Sequence, residues 1–169
     1  ASYPVPDLLQ EGHELTAFFF NPNIHPYLEY ERRREGMRIL LQHHGVPLLL
    51  DAEYDPHIYL RQVVNREDER CGFCYRMRLE KAAQAAADGG FEAFTTSLLV
   101  SPYQKHEMIK SIGEEYAEKI GVPFFYRDWR PFYRETIKIS RELGIYRQPY
   151  CGCIYSEWER YARKKGDKA

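Results

Sequence analysis

The sequence lacks the features of a membrane protein, of a disulfide-rich secreted protein and of a strongly basic protein. Its 169 residues contain no apolar run long enough to span a bilayer. Four cysteines are too few for a disulfide scaffold of this size, and the net charge of -1 excludes a polycation. No glycine-rich phosphate loop is present. We therefore expect a globular α/β domain covering residues 1–169, in the reducing cytoplasm.

The four cysteines form two close pairs. Cys71 and Cys74 are one helical turn apart at the start of a strong helix-forming stretch, and Cys151 and Cys153 flank a glycine near the other end. The first pair fits a thiol–disulfide centre in which the helix N-terminus and Arg70 or Arg76 acidify the leading thiol. It equally fits half of a zinc site or ligands of an iron–sulfur cluster. The second pair can close a small strained disulfide or chelate a metal. We predict that the two pairs meet in space.

Apolar strand-like runs alternate with helix-like runs along the chain. Strands are predicted at 15–20, 46–50, 91–99 and 122–126, with helices between them. Connections too long for hairpins indicate a parallel sheet with helices on both faces, a three-layer Rossmann-like architecture. The pair Glu29 and Arg33 is expected on the solvent side of the second helix.

Ligands of such sheets bind beyond the carboxyl ends of the strands. The loops predicted there are 21–25, 51–55 and 97–105. The polar residues that we expect to bind substrate are Asn21, Asn23, His25, Tyr103, Gln104 and Lys105. The C-terminal part, from Pro123 onward, carries eleven Lys or Arg against six Asp or Glu, so it could bind phosphates.

Four long segments together resemble the QueH-type epoxyqueuosine reductases. They are Asn-Pro-Asn-Ile-His-Pro at 21–26 with Tyr-Glu-Arg-Arg at 30–33, Arg-Cys-x-x-Cys-Tyr-Arg at 70–76, the run from Phe94 to His106, and the run from Tyr146 to Ser156. The resemblance covers nearly the whole chain, and four motifs in the family's order are far more specific than a lone C-x-x-C.

The resemblance implies a fold, an activity and a set of cofactors. The fold is similar to the Rossmann-like nucleotide hydrolase group. The activity is the two-electron, cobalamin-independent removal of the epoxide oxygen of epoxyqueuosine in tRNA. The family binds a [4Fe–4S] cluster with an adjacent iron. Cys71 and Cys74 would belong to the metal site, and Cys151 with Cys153 would be the redox-active dithiol.

The family pattern begins with a strand and an adjacent Cys-Cys motif, upstream of where this sequence starts. We therefore expect the first strand and further cluster ligands to precede Ala1, so that the cluster is not completed by this chain as given. The tRNA would be the partner, and the electron donor is not indicated. Two alternatives stay open: a four-cysteine zinc module that binds RNA, and an RNA sulfurtransferase of the same broad fold.

Overall fold

The computed structural model describes residues 1–50 and 54–162. Two strands, β1 (Ala17–Phe19) and β2 (Leu48–Leu50), pair in parallel with Phe18 opposite Leu49. Within the described residues, seven α-helices accompany them: α1 (Pro4–Gln10), α2 (Tyr27–His44), α3 (Pro56–Val63), α4 (Arg70–Asp88), α5 (His106–Ile120), α6 (Tyr133–Glu142) and α7 (Ile154–Tyr161). The described residues thus form a mixed α/β structure with a small parallel sheet.

Helix boundaries follow the local sequence signals. Asp55 accepts a hydrogen bond from the backbone N–H of His57, which makes it the N-cap of α3, and Pro56 occupies the first turn. Gly45 ends α2 in the left-handed conformation, as a C-cap glycine does. The helices predicted from these signals are therefore confirmed to within one or two residues at these two ends.

The prediction of continuous strands is wrong for the third and fourth of the four predicted strands. The third and fourth share a single parallel bridge between Phe94 and Phe124. Pro123 has no N–H to donate to a ladder. After Phe94, the Thr96 side chain accepts from the N–H of Leu98 and the chain turns into a 3₁₀ helix, Ser97–Val100. The three-layer Rossmann-like arrangement consequently stays a prediction, and the predicted loop 51–55 lies partly outside the described residues.

The buried side chains form three clusters. The largest joins α4, α5 and the segment around Trp129, and it contains fully buried Leu79, Ile109 and Trp129. A smaller cluster contains Tyr59 and Val63 of α3 together with Cys74 and Cys153. Because this second cluster contains one cysteine of each pair, packing of α3 and α4 also fixes where the sulfur atoms lie.

No helix within the described part of the chain combines the length and apolar character that a membrane crossing requires.

Candidate active site

The structure places the two cysteine pairs beside each other. Cys71 and Cys74 lie in the first two turns of α4, and Cys153 is the N-cap of α7. Cys74 and Cys153 are 9% and 5% exposed and pack in the same cluster with Tyr59. All four cysteines are free thiols. Residues about eighty positions apart thus contribute sulfur atoms to one region of the molecule.

The C-x-C pair sits at the N-terminus of α7. The Sγ atoms of Cys151 and Cys153 are 3.9 Å apart, and Cys151 Sγ lies 3.0 Å from Ser156 Oγ. The N–H of Ser156 donates to Cys153 Sγ at 3.4 Å. Cys151 is exposed, whereas Cys153 is buried. The pair therefore consists of one exposed and one buried cysteine.

The pKa values of the two thiols of this pair shift in opposite directions. The hydrogen bond from Cys151, with those from Ser156 and Tyr59, lowers the pKa of Cys153 despite its burial. The same contact with Cys153, together with burial, raises the pKa of Cys151. Cys153 is thus the more acidic thiol of the pair, and Cys151 is the less acidic one.

One interpretation of the C-x-x-C pair predicted a lowered pKa for its leading thiol, Cys71. For the free thiol this prediction is wrong. Burial raises the pKa of Cys71 and outweighs the nearby positive charges of Lys105 and Arg70. Burial also raises the pKa of Cys74 to about 11. Arg76, the other arginine predicted to acidify the leading thiol, instead donates two hydrogen bonds to Glu115 on α5.

The loop after β1 brings two of the predicted substrate-binding residues to the Cys153 side. Asn23 and His25 are 2% and 6% exposed, and the His25 ring lies 5.7 Å from that of Tyr59. Asn23 Oδ1 and both ring nitrogens of His25 have no hydrogen-bond partner among the described residues. Burial lowers the pKa of His25, which favours the neutral ring. Asn21 is only partly buried. Its backbone carbonyl accepts a hydrogen bond from the N–H of Ile24, which closes a turn in this loop.

The segment before α5 contributes the other predicted residues on the Cys71 side. The Tyr75 hydroxyl donates to Gln104 Oε1 at 2.8 Å and accepts from the N–H of Lys105 at 3.2 Å. Lys105 is close enough to Cys71 to affect its pKa. Tyr103 is 81% exposed and touches the edge of the Tyr133 ring. Gln104 and Lys105 therefore flank the thiols, whereas Tyr103 points into solvent.

Comparison with known proteins identifies the family. A family model described as epoxyqueuosine reductase QueH matches residues 1–159. The chain belongs to the QueH family. It is 40% identical to the epoxyqueuosine reductase QueH of Dehalococcoides mccartyi, over 91% of this chain and 85% of that protein. It is 38% identical to that of Thermotoga maritima, over 95% and 93% of the two chains. The resemblance drawn from the four motifs is confirmed.

The thiols of Cys71 and Cys74 are the groups in this QueH chain to compare with the ligands of a metal site. No group of three or more His, Cys, Asp or Glu able to hold a metal ion is found among residues 1–50 and 54–162. A [4Fe–4S] cluster is held by four thiolates. Cys71 and Cys74 have the chemistry and the spacing of two such ligands.

Sequence reasoning missed a buried network next to the C-x-C pair of this QueH chain. Glu29 and Arg33 were expected at the solvent side of α2, but their side chains are only 6% and 9% exposed. Arg33 donates to the carbonyls of Tyr150 and Cys151 at 3.0 and 2.9 Å. The i,i+4 spacing identified the ion pair, but helical periodicity alone could not show that a distant loop covers it.

Proposed function

We propose that this chain reduces epoxyqueuosine to queuosine in tRNA, in the cytoplasm, by a cobalamin-independent two-electron reaction. One observation carries the proposal: in a chain of the QueH family, the C-x-x-C and C-x-C pairs lie in the same region. A thiol pair with one reachable sulfur and one stabilised sulfur suits electron transfer to a bound substrate. We also propose the three-layer Rossmann-like architecture, in which this region lies at the carboxyl ends of the strands.

The dithiol of Cys151 and Cys153 is proposed as the pair that delivers the two electrons. Both C–O bonds of the epoxide break, a C=C bond forms, and the oxygen leaves as water with two protons. Cys151 gives up one proton, water supplies the proton that an ionised Cys153 lacks, and the two sulfurs lose two electrons and become one disulfide. Atoms and electrons therefore balance in a single turnover, with solvent water as the only further proton source. Cys151, the exposed member of the pair, is proposed as the thiol that approaches the substrate.

Cys71 and Cys74 are proposed as two thiolate ligands of a [4Fe–4S] cluster that lies next to an iron. When bound, these metal centres would supply one-electron transfer and polarise the epoxide oxygen. The residues around them act on the substrate in other ways. Gln104 is held by Tyr75, and Lys105 places a positive charge beside Cys71, so both can orient a polar substrate group there.

The unpartnered polar atoms of Asn23 and His25 are proposed to bind the hydroxyl groups of the modified base. A buried acceptor without a partner is costly, and a bound hydroxyl would remove that cost. Asn21 and Tyr103 lie farther out, where an exposed tyrosine can stack on a neighbouring base of the anticodon loop. The tRNA backbone is proposed to lie along α6, where an open groove of about 420 Å³ is lined by three basic side chains together with Ile137 and one acidic side chain, Glu142. The basic side chains are Arg134, Lys138 and Arg141.

The test is a single-turnover assay with an anticodon stem-loop that carries epoxyqueuosine. The protein is reduced and freed of excess reductant, and product and disulfide are measured together by mass spectrometry. Wild type should form queuosine and an equal amount of the 151–153 disulfide. The double variant Cys151→Ser and Cys153→Ser should fall at least a hundredfold, while Ser111→Ala on the exposed face of α5 is the control.

Two results would contradict parts of this proposal separately. Full activity of the double serine variant would remove the dithiol from the reaction but leave the reductase activity intact. No conversion of epoxyqueuosine by wild type loaded with iron and sulfide would remove the reductase function itself.

A further inference from the structure

Every backbone carbonyl from residue 150 to residue 153 accepts a hydrogen bond. Arg33 donates to the carbonyls of Tyr150 and Cys151, and the N–H of His25 donates to that of Gly152 at 2.8 Å. The carbonyl of Cys153 accepts from the N–H and hydroxyl of Ser156. The loop that carries the two sulfurs is thus attached at each residue, and three of the four attachments come from the region at the start of α2.

Arg33 is itself held in one orientation. Its Nε donates to Glu29 Oε1 at 2.8 Å, and Nη2 forms an ion pair with the same oxygen at 2.7 Å, while Nη1 and Nη2 donate to the two carbonyls. The Tyr146 hydroxyl donates to Glu29 Oε2 at 2.6 Å, which fixes the carboxylate in turn. The guanidinium also lies 5.3 Å from the centre of the Tyr150 ring. A planar guanidinium carries five donors on three nitrogen atoms, so it can bond to Glu29 and to both carbonyls together. An ammonium group has a single nitrogen and cannot match this arrangement.

We propose that Arg33, oriented by Glu29, is a positioning residue that sets the reduction potential of the Cys151–Cys153 pair by holding the two sulfurs in contact. The inference rests on the proposed role of this dithiol. A C-x-C segment that is free to move spends most of its time with the sulfurs apart, so its disulfide forms less readily. Fixing the backbone raises the effective concentration of one thiol near the other. The attached loop therefore favours the disulfide and makes the dithiol a stronger reductant.

The experiment measures the thiol–disulfide equilibrium directly. Protein is equilibrated anaerobically in mixtures of reduced and oxidised glutathione, quenched with an alkylating agent and digested with trypsin. The fragment 148–160 contains Cys151 and Cys153 but neither Cys71 nor Cys74, so its two tags report this pair alone. The reaction converts one dithiol and one glutathione disulfide into the protein disulfide and two glutathione thiols.

The main variant is Arg33→Lys, which keeps the charge facing Glu29 but loses the bonds to two carbonyls. We expect the disulfide equilibrium constant to fall about tenfold, equivalent to about 30 mV for a two-electron couple. Tyr146→Phe removes one bond to Glu29 and should give a smaller shift of the same sign. Arg127→Lys is the matched control, because Arg127 makes a comparable set of bonds to Asp7 of α1 and to Glu11 at its C-cap.

Each outcome decides the inference. An unchanged equilibrium constant in Arg33→Lys, or in Tyr146→Phe if the lysine variant does not fold, would overturn it. An equal shift in Arg127→Lys would also overturn it, because the effect would then not be specific to this loop. A wild-type fragment that never forms the disulfide would overturn both this inference and the dithiol's part in the reaction. A shift in a protein that does not reduce epoxyqueuosine would support the positioning role and remove only the reductase function.

Discussion

At the scale of single residues, Gly152 shows how closely the C-x-C loop fits its surroundings. Its φ of +128° is a conformation that residues with a side chain rarely adopt. A Cβ at this position would lie 2.9 Å from Arg33 Nη1 and 3.1 Å from Ile24 Cγ1. The glycine is therefore required twice, once for the backbone and once for the approach of Arg33.

Replacing this glycine should separate the two requirements. Gly152→Ala should lower the free energy of unfolding by about 3 kcal/mol, since backbone strain and overpacking add. Gly12→Ala is the control, because Gly12 also has a positive φ but no atom within 4 Å of an added Cβ. It should cost about 1 kcal/mol. Urea denaturation measures both, and equal losses would show that the contact with Arg33 contributes nothing.

Residue-scale features divide into those that sequence reveals and those that need the fold. The spacing of Glu29 and Arg33 on one helix face follows from 3.6 residues per turn, so their pairing was predictable. Their burial was not, because it depends on Tyr146 and Tyr150, more than a hundred positions away. The raised pKa of Cys71 was missed for the same reason: burial is a property of the packed structure.

At the scale of secondary structure, helices were predicted better than strands. Capping residues and glycines mark helix ends locally, so α3 and α2 appear where Asp55 and Gly45 indicate. An apolar run indicates only burial, and it does not show whether neighbouring backbone groups pair. Residues 91–99 were predicted as a strand for this reason, whereas Phe94 makes a bridge and the Thr96 side chain begins a turn.

Helix α6 carries the element-scale prediction about tRNA. Arg134, Lys138 and Arg141 follow one another at i, i+4 and i+7, so they lie on one face, and all three are exposed. Lys138→Glu with Arg141→Glu should weaken binding of the anticodon stem-loop, because two phosphate contacts are lost. The slope of log affinity against log salt should decrease by roughly 1.5.

The control for α6 places the same charge change on α5. Lys110→Glu with Lys119→Glu alters the net charge equally, so it corrects for long-range attraction of RNA. Fluorescence anisotropy at several salt concentrations measures both double variants. If the α5 double variant loses as much affinity and slope as the α6 double variant, α6 is not the RNA-binding face.

At the scale of the whole molecule, the meeting of the two cysteine pairs depends on how distant segments pack. The presence of the four cysteines as two close pairs led to the expectation that the pairs share a region. Spacing along the chain could not establish that they do, because the pairs are separated by α5, α6 and the core around Trp129. The contacts of Cys153 with α3 and α4 come from tertiary packing. The part that each cysteine takes in the reaction is what the proposed assays test.

The same long-range packing makes overall stability depend on pH through Asp7. Its Oδ2 accepts from Trp129 Nε1 at 2.7 Å and from Arg127 at 3.0 Å, so it links α1 to the largest core cluster. Burial raises the pKa of Asp7, but the hydrogen bonds from Trp129 and Arg127 outweigh burial and hold it below its usual range. A folded-state pKa below the unfolded value of about 3.9 gives stability that is present above about pH 4 and is lost as the pH falls through the folded value.

Asp7→Asn should therefore lower the free energy of unfolding at pH 7 by about 2 kcal/mol, the usual worth of hydrogen bonds to a charged group. It should also reduce the loss of stability between pH 5 and pH 3, because asparagine does not titrate. Asp88→Asn, at the exposed end of α4, is the control and should change neither quantity by more than about 0.5 kcal/mol. Urea unfolding at each pH gives the comparison, and parallel pH curves for wild type and Asp7→Asn would show that this carboxylate does not link α1 to the core.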